Sequence, residues 1–362
     1  MKLVMNTVKL QDMVARAVRG ASNNKLIPIT SLMAIQLNEN HILTLTTTDA
    51  TNYLYIDEYK VEGDEFYAVV PVDVFSKLIA RMTSENVTLI VHPEIKILEV
   101  KGNGNYKIEL PLDENGQLIK YPNPYKSDEN FGNKLNLSTV KVILDTLKSA
   151  LATTLENPCY TGYYVGDSVI ATDTYKIANM DISLFDTPVL ISSELMNLFS
   201  VITEENISVS INGDVIQFFT DNCRVYGRTM EGIEDFAVEP IMSLVNTDMD
   251  SECSLNKTHL LQVLDRLSLF VGPYDKNAVR FTFTREGLEV SSKASSSVEV
   301  IPYISSKDFN EFTCMIDVQM ITQEVKAIQA DVIDMYYGED NAVIMKDGNI
   351  TIVVALLEDE EE

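Results

Sequence analysis

Tryptophan is absent from this chain, and histidine and cysteine are scarce, with 3 His and 4 Cys among 362 residues. The histidines His41, His92 and His259 are too scattered along the chain to form a histidine-based metal site. The cysteines lie far apart without Cys-X-X-Cys spacing, which is typical of reduced structural thiols rather than of zinc or redox sites. We therefore expect neither a metal ion nor another cofactor.

Long apolar runs are also missing. No stretch approaches the about 20 apolar residues that a membrane-spanning helix requires, and the first residues contain no apolar signal-peptide core. These absences predict a cytoplasmic protein without a membrane partner.

Motifs for catalysis are not found either. The sequence has none of the short patterns that cradle phosphates, bind dinucleotides, hold a catalytic zinc ion or present a nucleophilic serine. The carboxylate clusters DMDSE and EDEEE lack the alternating ligands and the glycine of a calcium loop. We assign no catalytic residue and expect a protein that is not an enzyme; a hydrolase using these carboxylates is the weakest alternative.

Basic residues are outnumbered, with 28 Lys+Arg against 54 Asp+Glu and a net charge of −26. The composition is that of a globular protein, because 46% of the residues are hydrophobic and only 23% are charged. The length predicts two or three domains. So acidic a chain should repel nucleic acid unless its basic residues are concentrated on one surface.

One structural unit is written three times along the chain. In each copy an amphipathic helix is followed by a short polar turn and a strand, and the first two joins lie 120 residues apart. The three joins are Glu85-Asn86-Val87, Glu205-Asn206-Ile207 and Ala330-Asp331-Val332. A further helix, with an apolar stripe of 3.6-residue period, opens each copy, at residues 10–21, 138–152 and 258–270. These patterns predict an α+β fold of three repeated domains, each with two amphipathic helices packed on antiparallel sheets.

The predicted domains span residues 1–121, 134–240 and 253–362, the last with an acidic tail at 358–362. Two connectors, residues 114–133 and 239–253, separate them and show little periodicity. On the outward faces of the helices, eight bases stand against three acids. The bases are Arg16, Arg19, Lys77, Arg81, Lys141, Lys148, Arg266 and Lys326. This excess predicts an electropositive helical surface on an acidic protein.

Three segments in register with the repeats resemble the bacterial sliding clamp family, the beta subunit of DNA polymerase III. They are NKLIPITSLMAIQL with HILTLTTTDATNYL, VIATDTYKIANMDI, and FTREGLEVSSKASSSVEVIPY. The resemblance covers the whole chain. It implies a homodimeric, head-to-tail ring of six clamp domains, with helices inside, sheets outside and duplex DNA threaded through. It also implies a processivity factor for DNA replication that binds the polymerase catalytic subunit, the clamp loader and other proteins carrying short hydrophobic clamp-binding motifs.

The resemblance assigns residues to three surfaces. It places the eight helix bases, together with Asn24 and Lys25 of a loop, against DNA. It implies a peptide-binding cleft formed by Tyr160, Thr172, Thr174, Tyr175, Lys176, Ile177, Pro240, Val353, Val354, Ala355, Leu356 and Leu357, with Lys176 at a polar lip. It implies a dimer interface containing Val74, Phe75, Ile108, Leu110, Leu269 and Phe270. One departure is that the family's Gly-His-Arg is Thr174-Tyr175-Lys176 here. An acidic three-domain scaffold that binds only proteins, or a DNA mimic, is the alternative function.

Overall fold

The computed structural model describes residues 1–123, 132–292, 297–338 and 341–358. The chain divides into two compact units, the first made of Met1–Val140 and Glu194–Thr229, the second of Lys141–Ser193 and Met230–Glu362. The acidic residues 359–362 of the predicted tail lie outside the described residues. In the part of the chain that is described, no helix is both long and apolar enough to cross a membrane.

The first third of the chain begins with a strand and a helix and continues mostly as strands. Its elements are β1 (Lys2–Asn6), α1 (Thr7–Ala17), β2 (Leu32–Leu37), β3 (Leu43–Thr48), β4 (Tyr53–Glu58), β5 (Glu62–Gly63), β6 (Phe66–Pro71), α2 (Val72–Ala80), β7 (Asn86–His92), β8 (Ile97–Lys101) and β9 (Asn105–Glu109).

The middle third follows this order with one strand fewer between its first two helices and adds a short helix at its end. Its elements are β10 (Asn133–Asn136), α3 (Leu137–Thr146), β11 (Gly162–Val165), β12 (Val169–Thr172), β13 (Lys176–Met180), β14 (Val189–Ser192), α4 (Ser193–Asn197), β15 (Asn206–Asn212), β16 (Val215–Phe219), β17 (Cys223–Arg228) and α5 (Val238–Val245).

The last third again opens with a strand and a helix. Its elements are β18 (Ser251–Asn256), α6 (Lys257–Leu267), β19 (Ala278–Phe283), β20 (Leu288–Ser292), β21 (Val298–Ile301), β22 (Ser305–Lys307), β23 (Phe312–Asp317), α7 (Val318–Ala327), β24 (Val332–Tyr337), β25 (Ala342–Asp347) and β26 (Ile350–Ala355).

The strands pair antiparallel throughout the described residues and form two sheets in each unit. The first unit has a five-stranded sheet, β5-β1-β7-β8-β9, and an eight-stranded sheet, β10-β15-β16-β17-β4-β3-β2-β6. The second unit has a nine-stranded sheet, β14-β11-β12-β13-β26-β25-β24-β18-β22, and a four-stranded sheet, β21-β20-β19-β23. The α+β class with helices packed on antiparallel sheets is confirmed.

Amphipathic stripes position the helices as the sequence predicts. In α6 the residues Leu260, Val263, Leu264 and Leu267 are all buried, and α6 packs against α7. In α1 the corresponding buried residues include Leu10, and α1 packs against α2. Both helices end a few residues earlier than the apolar pattern predicts and continue as short 3-10 turns.

The same backbone hydrogen bond occurs at the start of α1, α3 and α6. Each of these helices directly follows a strand, and that strand pairs with a second strand further along the chain. The first N–H of the helix donates to the carbonyl of the residue just before that second strand. These bonds run from Thr7 to Glu85 at 3.0 Å, from Leu137 to Glu205 at 2.8 Å and from Lys257 to Asp331 at 2.9 Å. The three joins found in the sequence therefore have equivalent places in the fold. The domain boundaries drawn from the repeats remain a prediction.

One connector contains more structure than its sequence indicates. Residues 239–253 read as an irregular linker, but they contain most of α5 and the start of β18. Ile241 and Val245 of α5 are buried in an apolar cluster of the second unit, and this packing stabilises a helix too short to be stable alone. Pro240 lies in the first turn of α5, where the missing N–H has no intrahelical partner to lose.

Candidate functional site

In the first unit, most of the predicted DNA-facing residues are exposed. These are Arg19, Asn24, Lys25, Lys77 and Arg81. Lys77 pairs with Asp73 one turn earlier on α2, with 2.5 Å between Nζ and Oδ1. Both side chains are largely solvent-exposed, so this pair is weak and leaves the ammonium accessible.

Arg16 differs from the other predicted bases. Its side chain is only 12% exposed, and Nε donates to the carbonyl of Val201 at 2.7 Å. A terminal nitrogen also donates to Oδ1 of Asn222 at 2.6 Å. The assignment of Arg16 to the open helical surface is therefore corrected. The hydrogen bonds of its guanidinium connect α1 to Val201 and Asn222, which are distant along the chain in the first unit.

In the second unit, Lys141, Lys148, Arg266 and Lys326 are exposed. Arg266 makes a bidentate pair with Glu299, at 2.8 Å from Nε and 2.5 Å from a terminal nitrogen. The hydrogen bond from Arg266 lowers the pKa of Glu299, and the same bond raises the pKa of Arg266. The charge of Arg266 is thus partly neutralised within its own unit.

An apolar pocket of about 340 Å³ opens in the second unit. It is lined by Thr174, Tyr175, Lys176, Ile177, Leu244, Thr247, Met249, Asn341, Ala342, Val353 and Ala355. Six of these residues belong to the predicted cleft. Leu244, Thr247, Met249, Asn341 and Ala342 were not predicted. Leu244 belongs to α5, which the sequence does not predict, and Thr247 and Met249 belong to the segment after α5.

Pairing of β13 with β26 builds the floor of the pocket. Ile177 lies opposite Val353, and both belong to the buried cluster that includes Ala342 and Phe236. Tyr160 packs against the same cluster, with its ring 5.1 Å from that of Phe236 in an edge-to-face arrangement. The sheet therefore supplies a rigid apolar base, and α5 packs beside it as a wall.

The turn from Thr172 to Lys176 forms the polar edge of the pocket. The N–H groups of Tyr175 and Lys176 both donate to Oδ1 of Asp173 at 3.0 Å. The hydroxyl of Thr172 donates to the carbonyl of Lys176 and accepts from the N–H of Thr174. Thr172 and Asp173 thus build the turn. Tyr175, which is 65% exposed, is the side chain it presents to solvent.

The side chain of Lys176 does not lie at the lip of the pocket. It is 7% exposed, and Nζ lies 3.2 Å from Glu324 and 3.8 Å from Asp173. Nζ also donates to the carbonyl of Ser149 and, at 3.1 Å, to Oε1 of Gln323. Successive residues of a strand point to opposite sheet faces, so Lys176 faces away from its neighbour Ile177. The prediction of a cationic lip is therefore wrong.

The carboxylates around Lys176 are affected by their burial. Glu324 is fully buried, and desolvation raises its pKa although Lys176 opposes the shift. Desolvation also raises the pKa of Asp173, although the hydrogen bonds from the N–H groups of the turn and the charge of Lys176 oppose this shift. The ammonium and its partners form a compact network under the turn.

Other predicted cleft residues do not line the pocket. Val354 is fully buried and lies opposite Lys176, on the face away from the pocket. Leu356 and Leu357 follow the last strand, where Leu357 forms a bridge with Met315. Pro240 is exposed at the start of α5. Six of the twelve residues predicted for the cleft are therefore absent from the lining of the pocket.

The predicted dimer-interface residues divide into two groups. Val74, Leu269 and Phe270 are 52%, 80% and 50% exposed and are available to a partner chain. In contrast, Phe75, Ile108 and Leu110 are almost fully buried within the first unit. Those three assignments are corrected, because the side chains already pack in the chain's own core.

In the described residues, no cluster of His, Cys, Asp or Glu is arranged to hold a metal ion.

Comparisons with known proteins agree on one fold. No family model matches the chain. The beta sliding clamp of Bacillus subtilis (strain 168) is 22% identical over 329 residues, which cover 84% of each chain. The crystal structure of the DNA polymerase sliding clamp from Bacillus subtilis superposes with a TM-score of 0.85 at 18% identity, covering 99% of both chains. The DNA polymerase III beta chain from Streptococcus pneumoniae gives 0.87 at 14% identity, covering 99% of this chain and all of that one. The chain therefore has the fold of the bacterial sliding clamps over 99% of its length, and its sequence is similar to that of the Bacillus subtilis beta sliding clamp.

Proposed function

We propose that this protein is a DNA sliding clamp. Two copies would form a closed ring around duplex DNA and tether the replicative polymerase for processive synthesis, without catalytic activity of their own. The observation that supports this most strongly is the match to sliding clamps over 99% of the chain with TM-scores of 0.85 and 0.87. A ring requires the whole chain, so a likeness limited to one domain would not support it.

The charge distribution is consistent with a ring that slides. The net charge is −26, yet exposed bases such as Arg19, Lys77 and Lys326 lie on helices. A ring holds DNA topologically, so weak and screened phosphate contacts are enough to centre the duplex. The acidic remainder of the surface would discourage binding of stray nucleic acid.

The pocket of the second unit is the proposed docking site for partner proteins. Its floor is apolar, and its rim carries the amide of Asn341 and the exposed ring of Tyr175. Such a site suits the leucine and aromatic anchors of a short linear motif. The proposed partners are the polymerase catalytic subunit, the clamp loader and other proteins that carry a motif of this kind.

Light scattering coupled to size-exclusion chromatography tests the ring assembly. We expect a mass near twice 40.5 kDa at micromolar concentration. A strict monomer would contradict the proposal and would favour the alternative of an acidic scaffold that binds only proteins. The variant Leu269→Ser should shift the mass toward the monomer, because this apolar side chain is 80% exposed in the single chain and would be buried in the proposed dimer interface.

A further inference from the structure

The turn at the pocket contains a strained residue. Thr174 has φ = +81°, in the left-handed region that β-branched residues rarely adopt. Glycine adopts this region without a steric penalty. A threonine here keeps the left-handed conformation only if neighbouring contacts hold it.

The first unit contains the same turn, with the same hydrogen bonds. Ala50 has φ = +86°, and its N–H donates to the hydroxyl of Thr48. The N–H groups of Thr51 and Asn52 donate to Oδ1 of Asp49. In both turns a residue other than glycine occupies the left-handed position, so the conformation is a property of the turn rather than of one residue.

The last residue of each turn holds the turn's aspartate with a buried side chain. Nδ2 of Asn52 donates to Oδ2 of Asp49 at 2.8 Å, and Asn52 is 3% exposed. The ammonium of Lys176 takes the equivalent place, 3.8 Å from Oδ2 of Asp173. Lys176 reaches further than Asn52 does, because its longer side chain extends to Glu324.

Lys176 therefore ties the turn to two helical elements. Through Nζ it bonds the carbonyl of Ser149, in the 3-10 turn after α3, and Gln323 of α7. The hydroxyl of Ser149 donates to Oε2 of Glu324 at 3.0 Å, which closes the network. The turn thus rests on a buried support on the sheet face opposite the pocket.

We propose that Lys176 is a positioning residue for the peptide pocket. It holds the turn so that Thr174 and Tyr175 line the pocket, and its charge takes no part in reading the peptide. This inference rests on the proposed function, because it requires that the pocket binds peptides. Its consequence is that the pocket does not select an acidic residue beside the apolar anchors.

The test uses two short peptides with leucine and phenylalanine anchors, which differ only by Asn or Asp between the anchors. Their affinities for the full-length chain are measured by fluorescence polarisation. We expect Lys176→Met to weaken both peptides by the same factor, about tenfold if one turn in ten remains correctly formed. The double variant Lys176→Met/Thr174→Gly should bind both peptides within about twofold of the Thr174→Gly single variant, because glycine adopts the turn conformation without support.

Two further variants separate positioning from general stability. The double variant Lys176→Met/Glu324→Gln removes both charges and should fold while showing the same equal loss for both peptides. Asn52→Leu disturbs the equivalent turn of the first unit and should leave both affinities unchanged.

Three results would overturn the inference. Loss of the Asp peptide alone would show that the charge of Lys176 is read directly. Unchanged affinities in both Lys176 variants would show that the turn needs no support. Failure of glycine to restore binding would place the effect elsewhere. The exposed pocket residue Leu244 tests the proposed function separately: if the unmodified chain binds neither peptide, or Leu244→Asp leaves binding intact, the peptide pocket itself is wrong and the inference falls with it.

Discussion

Arg16 and Arg19 lie on adjacent turns of the same helical segment, and the structure predicts opposite consequences of removing them. Arg16→Ala deletes two charge-assisted hydrogen bonds, to the carbonyl of Val201 and to Asn222, from a side chain that is 12% exposed. Hydrogen bonds to charged groups contribute about 1.5–3 kcal/mol each, so loss of the two should lower the free energy of unfolding by about 3–6 kcal/mol. Arg19 is exposed, and Arg19→Ala should change stability by no more than about 0.5 kcal/mol.

Thermal and urea unfolding of the two variants, followed by circular dichroism, provide the assay. Arg16→Ala should lower the midpoint of unfolding, and Arg19→Ala should match the unmodified chain. Arg19→Glu should impair association with DNA while leaving the midpoint unchanged, because its side chain contributes charge but no packing. Equal midpoints for Arg16→Ala and Arg19→Ala would refute the structural role of Arg16.

Three further predictions concern the buried pair, the partner surface and the DNA-facing charge. Lys176→Met removes the ammonium and leaves Glu324 buried with a raised pKa, so we expect a destabilisation of about 3–5 kcal/mol while Glu324 is ionised. The destabilisation should shrink as the pH is lowered and the folded state takes up a proton at Glu324, which urea unfolding of the variant and the unmodified chain over a pH series would measure. A destabilisation that does not change with pH would contradict the role of the pair. Phe270→Ala should weaken self-association in analytical ultracentrifugation, because burying this aromatic side chain contributes about 1.5–3 kcal/mol and the contact occurs twice in a two-fold dimer. Phe75→Ala should instead destabilise the fold by about 3–5 kcal/mol, because Phe75 is buried in the core. The reverse pattern would contradict the different burial of the two residues. Glu299→Gln removes the carboxylate that pairs with Arg266, and it should raise DNA affinity a few-fold in gel shifts at low salt, with no change at high salt. Unchanged affinity at low salt would exclude Arg266 from DNA contact.

Local patterns in the sequence account for the helices and for the repeated joins. The stripe of α6 was predicted from apolar spacing, because burial of one helix face imposes a 3.6-residue period. The same rule also explains Phe75, which with Val72 and Ile79 forms the buried stripe of α2. The signal for a core role was therefore present, although the family resemblance assigned Phe75 to an interface.

Long-range contacts account for what the sequence could not predict. The burial of Lys176 depends on Glu324, and that of Arg16 depends on Val201 and Asn222, all far away along the chain. A charged residue buried with such partners has the same local sequence signal as one on a solvated face. α5 was missed for a related reason, since its short apolar pattern gains stability only from the tertiary cluster it joins.

Retention on circular DNA tests the central claim most directly. The protein is loaded by a bacterial clamp loader with ATP onto a nicked circle, separated from free protein by gel filtration, and the circle is then cut once. A ring held by topology should co-elute with the intact circle at high salt, where phosphate contacts are screened, and should be released when the circle is linearised. Equal retention on circular and linear DNA, or loss from both at high salt, would contradict the encircling clamp.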